Sequence, residues 1–89
     1  MITIQINVKS RLHARLCVIV SKRAENYRSR MRLSYDGKSA ELRSTISLML
    51  LGVQAGSRVQ LDVQGADEVL AAADLLQLLE GLTDGGLGG

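Results

Sequence analysis

Residues 2–8 alternate Ile2, Ile4, Ile6 and Val8 against Thr3, Gln5 and Asn7. A hydrophobic period of two predicts a strand with one buried face. The alternation returns over 30–35, where Met31, Leu33 and Tyr35 oppose Arg30, Arg32 and Ser34. It returns again over 58–63, where Val59, Leu61 and Val63 oppose Arg58, Gln60 and Asp62. A weaker strand over 38–42 points Ala40 and Leu42 inward. Asp36-Gly37 between the two middle strands predicts a hairpin, because a two-residue primed turn needs positive φ at both positions.

The intervening stretches carry a helical period. From His13 to about Asn26, Leu16, Val20 and Ala24, joined by Cys17 and Tyr27, fall at three-and-four spacing, with Lys22, Arg23 and Glu25 on the solvent side. Ser44 is placed to cap a short helix over 45–51 that Gly52 stops. Ile46, Leu48, Met49, Leu50 and Leu51 are too many for one buried stripe, so some of them lie at the surface. Asp67 and Glu68 open a last helix, where acids suit the positive end. Its core face is expected to be Val69, Ala72, Ala73, Leu76 and Leu79, with Gly81 as the stop.

The resulting order is β-α-β-β-α-β-α, an α+β class. Four half-buried strands imply a sheet covered on one side by the helices. Thr3, Gln5, Asn7, Arg30, Arg32, Gln60 and Asp62 fall on the open side. A single domain over 1–83 and a flexible Gly-rich tail over 84–89 are expected.

Composition narrows the chemistry. The chain has 89 residues with two tyrosines and no Phe or Trp, so the core is aliphatic. All 11 Lys and Arg lie within 1–58 beside three acids, whereas 59–89 hold six acids and no base. A basic half suggests an anionic partner, although exposed faces that are simply basic remain the plainer reading. Cys17 is the only cysteine and can form no internal disulfide. No run of about 20 apolar residues would cross a membrane, and no export signal is visible, so membrane insertion is not expected and a cytoplasmic location is. There is no cluster of metal ligands, no nucleotide-binding loop and no Ser-His-Asp set, so no cofactor is expected. Nucleic-acid binding through Arg30 and Arg32 lacks an aromatic stacking platform and is set aside.

The only histidine, His13, stands where strand gives way to helix, flanked by Arg11 and Arg15. A helix start presents unpaired N–H groups and partial positive charge, which favours an anion. A neutral imidazole is nucleophilic at a ring nitrogen. Once the ring nitrogen carries phosphate, the helix end and Arg15 can hold the dianion by charge-assisted hydrogen bonds. The plainer alternative is a capping or solvated histidine.

Arg11-Leu12-His13-Ala14-Arg15-Leu16 resembles the phosphorylation signature of the HPr family, the histidine-containing phosphocarriers of the bacterial phosphotransferase system. Arg43-Ser44-Thr45-Ile46-Ser47-Leu48-Met49-Leu50-Leu51-Gly52 resembles its second signature, and Gly65-Ala66-Asp67-Glu68 gives a third match. The resemblance spans about residues 2–82 and implies an open-faced β-sandwich, a four-stranded antiparallel sheet with three helices on one face. It further implies that His13 takes phosphate from an enzyme I-type donor and passes it to an enzyme IIA-type or similar acceptor. Ala14, Arg15 and Leu16 would bind the phosphate. Ser44 would correspond to a serine that a dedicated kinase modifies in some bacteria, or would serve only as a helix cap. Arg11, Ala14, Val18, Ile19, Lys22, Thr45, Ile46, Met49 and Leu50 would form the partner-docking surface of a monomer. Arg11, Leu16 and Cys17 replace the family's glycine, proline and small alanine. The three departures leave a second reading open: a regulatory binding module with weak or no phosphotransfer. Cys17 itself could be packing or a reactive thiol.

Overall fold

The computed structural model describes residues 1–81. The boundary expected at 83 and the tail expected over 84–89 lie outside the described residues. The elements are β1 (Ile2–Asn7), α1 (Ala14–Ala24), β2 (Arg30–Tyr35), β3 (Lys38–Glu41), α2 (Thr45–Leu51), β4 (Arg58–Gln64) and α3 (Glu68–Gly81). The strands form one antiparallel sheet in the order β1-β4-β2-β3. The expected fold class is therefore the observed one.

The alternating patterns do what a period of two requires. Ile6, Met31, Leu33, Ala40, Val59, Leu61 and Val63 are buried on the helix side, with Ile2 and Ile4 half-buried against them. On the open side the polar residues answer each other across strands: Thr3 Oγ1 donates to Asp62 at 2.8 Å and Gln5 Nε2 to Gln60 at 3.1 Å. Asp36 and Gly37 adopt φ of 53° and 77°, the left-handed pair that a primed hairpin turn needs. The first strand ends at Asn7, one residue earlier than the alternation suggests. Val8 is still buried and still bonds across, with its amide on the Ser57 carbonyl at 2.9 Å.

α1 buries Leu16, Cys17, Val20, Ser21 and Ala24. Ser21 escapes the apolar pattern because its hydroxyl is satisfied, donating to the Arg43 carbonyl at 2.9 Å. Arg23 was placed on the solvent side, yet it is half-buried: its Nη1 lies 2.6 Å from Asp74 of α3. Tyr27 also reaches Asp74, donating its hydroxyl at 2.5 Å, and that hydrogen bond raises the phenol pKa above its ordinary value.

The expected core face of α3 needs correction. Ala71, Ala72, Leu75 and Leu79 are buried, Leu76 is only partly so, and Val69 and Ala73 are exposed. The helix is apolar almost all round, so spacing alone admits more than one stripe. Its rotation is fixed by anchors at its start. Asp67 accepts the amides of Arg28 and Ser29, both at 2.9 Å, and the Ser29 hydroxyl. Those bonds, the Ser29 hydroxyl foremost and then the Arg28 amide, hold the carboxyl below its usual range. Glu68 accepts the Gly65 amide at 3.1 Å and lies 3.3 Å from the N-terminal ammonium. Gly65 passes so close to Ser29 that a Cβ there would sit 2.6 Å from the Ser29 Cα.

Candidate functional site

The segment leading into α1 is pinned from two sides. The Leu12 amide donates to the Val53 carbonyl at 3.1 Å, and the Leu12 carbonyl accepts the Cys17 thiol at 3.4 Å. The Leu12 side chain is buried. His13 follows immediately as the N-cap of α1, in extended conformation, and its side chain makes no capping bond to its own helix. The cap is made by backbone alone, with the Cys17 amide on the His13 carbonyl at 3.0 Å. Ala14, Arg15 and Leu16 are the first three helical residues, whose amides have no acceptor within the helix.

His13 is half-buried at the rim of a cleft of about 360 Å³, lined by Arg11, Leu12, Ala14, Met49, Gly52, Val53 and Gln54 as well. The cleft lies where the start of α1 meets the end of α2. Gly52 ends α2 in the left-handed region, φ 71° and ψ 31°, and Gln54 Nε2 folds back onto the Gly52 carbonyl at 3.1 Å. Gly52 was expected only as the stop of α2, and Val53 and Gln54 were not singled out in the sequence, since a turn carries no period. Arg11 does line the cleft; Arg15 is exposed beside it and does not.

Leu16 was grouped with the phosphate-binding residues. Its side chain is fully buried, so only its amide faces that role. Cys17 is fully buried as well, and burial pushes its thiol up to about 11. The structure thus decides between packing and reactivity: a protonated, buried thiol is inert near neutral pH, and here it braces Leu12.

Beside the cleft, α1 and α2 present an apolar surface. Val18 and Met49 are each 40% exposed, Ile46 67% and Leu50 74%, while Leu48 and Leu51 of the same helix are buried. Lys22, Arg11 and Arg15 are exposed as well, and among the described residues none of the three has a carboxylate at ion-pair distance. Two residues expected on the docking surface contribute less: Ile19 is half-buried against the core and Thr45 is half-buried. Ser44 caps α2. Its Oγ accepts the Ser47 amide at 3.3 Å and donates to Ser47 Oγ at 2.9 Å. Among the described residues there is no group of three His, Cys, Asp or Glu able to hold a metal ion, and no helix is long and apolar enough to cross a membrane.

Fold and site together define an open-faced β-sandwich that presents one histidine at a helix start, next to a cleft and an apolar patch. Comparison with known proteins agrees on the fold and the family. A family model described as the PTS HPr component phosphorylation site matches residues 2–81. The phosphocarrier protein HPr of Borreliella burgdorferi is 33% identical over 69 residues, 78% of this chain and 80% of the relative. Among solved structures, HPr-C-His from Thermoanaerobacter tengcongensis superposes with a TM-score of 0.77 at 34% identity, covering 89% of each chain. Crh of Bacillus subtilis, described as a catabolite repression protein with a swapped domain in a dimer, gives a TM-score of 0.74 at 32% identity over 85% of this chain and 87% of its own. The chain belongs to the HPr family, the phosphocarriers of the phosphotransferase system.

Proposed function

We propose that His13 is the residue that carries the phosphoryl group, in a chain that works in the cytoplasm as a monomer. An imidazole nitrogen of His13 attacks phosphorus; the new N–P bond forms as the N–P bond of an enzyme I-type phosphohistidine breaks, and the donor imidazole leaves. The reverse exchange hands the group to an enzyme IIA-type or other protein acceptor. Transfer between two imidazoles is nearly balanced, so the site has mainly to position the partners and hold charge. The amides of Ala14, Arg15 and Leu16 and the side chain of Arg15 hold the dianion, with Arg11 adding charge from the cleft side. Val18, Ile46, Met49 and Leu50 form the apolar centre of the docking surface; Arg11, Lys22 and the half-buried Ile19 and Thr45 complete it. Ser44 is the regulatory phosphorylation position, where a phosphate would place negative charge beside a surface that meets an acidic partner.

The observation that carries the reading is the placement of His13: it is the N-cap of α1 and it borders the cleft. The test is incubation with a cognate enzyme I and phosphoenolpyruvate, followed by mass spectrometry of the intact protein. One acid-labile, base-stable phosphoryl adduct is expected, located on His13 and lost in His13→Ala. Absence of the adduct in the wild type would sink the proposal.

A second reading, a regulatory binding module, is supported by the 32% identity to Crh. It expects a partner whose binding is unchanged by His13→Ala and a wild type that phosphorylates weakly or not at all.

A further inference from the structure

A second hollow lies away from His13. It has a volume of about 500 Å³, larger than the cleft beside the histidine, and is lined by Arg28, Arg30, Met31, Glu41, Arg43 and Gln64. The two sites sit at opposite ends of β4: Val53, which lines the cleft, precedes that strand, and Gln64 closes it. Arg30 faces Gln64 across the β2–β4 pairing.

Three guanidiniums share this hollow with one carboxylate. Glu41 is moreover drawn toward Arg32, 3.8 Å away and also outside the lining. Among the described residues neither Arg28 nor Arg30 has a carboxylate at ion-pair distance. Like charges gathered in a concavity repel one another unless an anion joins them.

The frame that gathers them is held by hydrogen bonds. Arg43 donates from Nη2 to the Tyr27 carbonyl and, at 3.4 Å, to the Ser29 carbonyl. The amides of Arg28 and Ser29 are fixed by Asp67, and Ser29 is backed by Gly65 in van der Waals contact. A frame ordered in advance lowers the cost of binding. Guanidinium forks match phosphate oxygens, and the volume suits a small molecule. Among the described residues no aromatic side chain lines the hollow, so they offer a nucleobase nothing to stack on.

We infer that this hollow is a second anion site, for a small non-aromatic phosphate compound carrying at least two negative charges. A ligand there would lie against Arg43, the residue before the α2 cap Ser44. The inference is independent of phosphotransfer at His13.

The test titrates the full chain with pyrophosphate, orthophosphate and a short RNA oligonucleotide at physiological salt, reading amide and Arg Nε–H chemical shifts. Saturable shifts with pyrophosphate or orthophosphate at Arg28, Arg30, Arg43 and Gln64 are expected; whichever binds tighter shows whether the hollow prefers a diphosphate or a single phosphate. Arg28→Gln and Arg30→Gln, both at exposed positions, should each weaken binding by about tenfold, the worth of a lost charge-assisted contact. Arg58→Gln removes the same charge from the far end of β4 and should leave affinity unchanged. Shifts confined to Ala14–Leu16 would overturn the inference. So would equal losses in Arg30→Gln and Arg58→Gln, or RNA binding at these residues with no response to either phosphate.

Discussion

Cys17 gives a quantitative test of how the ground behind His13 is built. Its side chain is fully buried, its thiol donates to the Leu12 carbonyl, and its pKa rises from 9.0 to about 11 through burial. The folded protein therefore keeps the thiol proton to a higher pH than the unfolded chain. Below pH 9 both states hold it, and the thiol contributes no pH dependence. Above that, the unfolded chain ionises first, so stability falls as pH rises, by up to about 1.4 kcal/mol per pH unit. The two-unit gap amounts to about 2.7 kcal/mol lost once the pH passes 11. The assay is urea denaturation of the wild type and Cys17→Ala at several pH values from 8 upward. The alanine variant removes only the sulfur, costing roughly 1 kcal/mol at every pH, which cancels from the slope. Tyr27 contributes its own loss at high pH through its bond to Asp74, and it contributes equally to both proteins. The wild type should therefore lose about 2–3 kcal/mol more than the variant across the window. Parallel curves would refute the reasoning, as would rapid stoichiometric labelling of the native thiol at neutral pH.

Two further substitutions separate fold from docking. Gly65→Ala places a methyl 2.6 Å from a backbone atom at a φ of 156°, and should cost about 2–4 kcal/mol, read as a lowered melting temperature; a cost below about 1 kcal/mol would show that Ser29 yields freely. Ile46→Ser combined with Leu50→Ser alters side chains that are 67% and 74% exposed, so stability should move by less than about 1 kcal/mol. The donor's KM for the carrier should nevertheless rise about tenfold, as for the loss of two apolar anchors. An unchanged KM would remove α2 from the contact.

What could be read in the sequence was what local pattern encodes. β1, β2 and β4 alternate strictly because each has one wet face, and Ser44 and Gly52 bracket α2 as cap and stop. The histidine at a helix start was legible for the same reason. α3 was found, but not its rotation: with Val69, Leu70 and Ala73 as apolar as Ala71, Ala72 and Leu75, spacing cannot choose between faces. The choice is made by Asp67 and Asp74, which bond to residues 38 to 51 positions away. A single charged residue leaves no periodic trace of such a partner. The same limit hid the arginine hollow, whose members come from β2, from the chain before it, from β3 and its exit, and from the end of β4. The cleft beside His13 was half legible, since Arg11 and Met49 lie in motifs and Gln54 lies in a turn.

The pairing of β1 with β4 has a consequence for how the chain is made. Ile2 is opposite Val63 and Asn7 opposite Arg58, so among the described residues β1 pairs only with a strand that follows it by about sixty residues. At translation speeds of about 5–20 residues per second, that gap is roughly 3–12 seconds. Throughout it Ile2, Ile4 and Ile6 have no sheet to join and are available to any other unpaired edge nearby. Crowded polysomes, rather than the finished protein, are where this sequence is most exposed to wrong pairing.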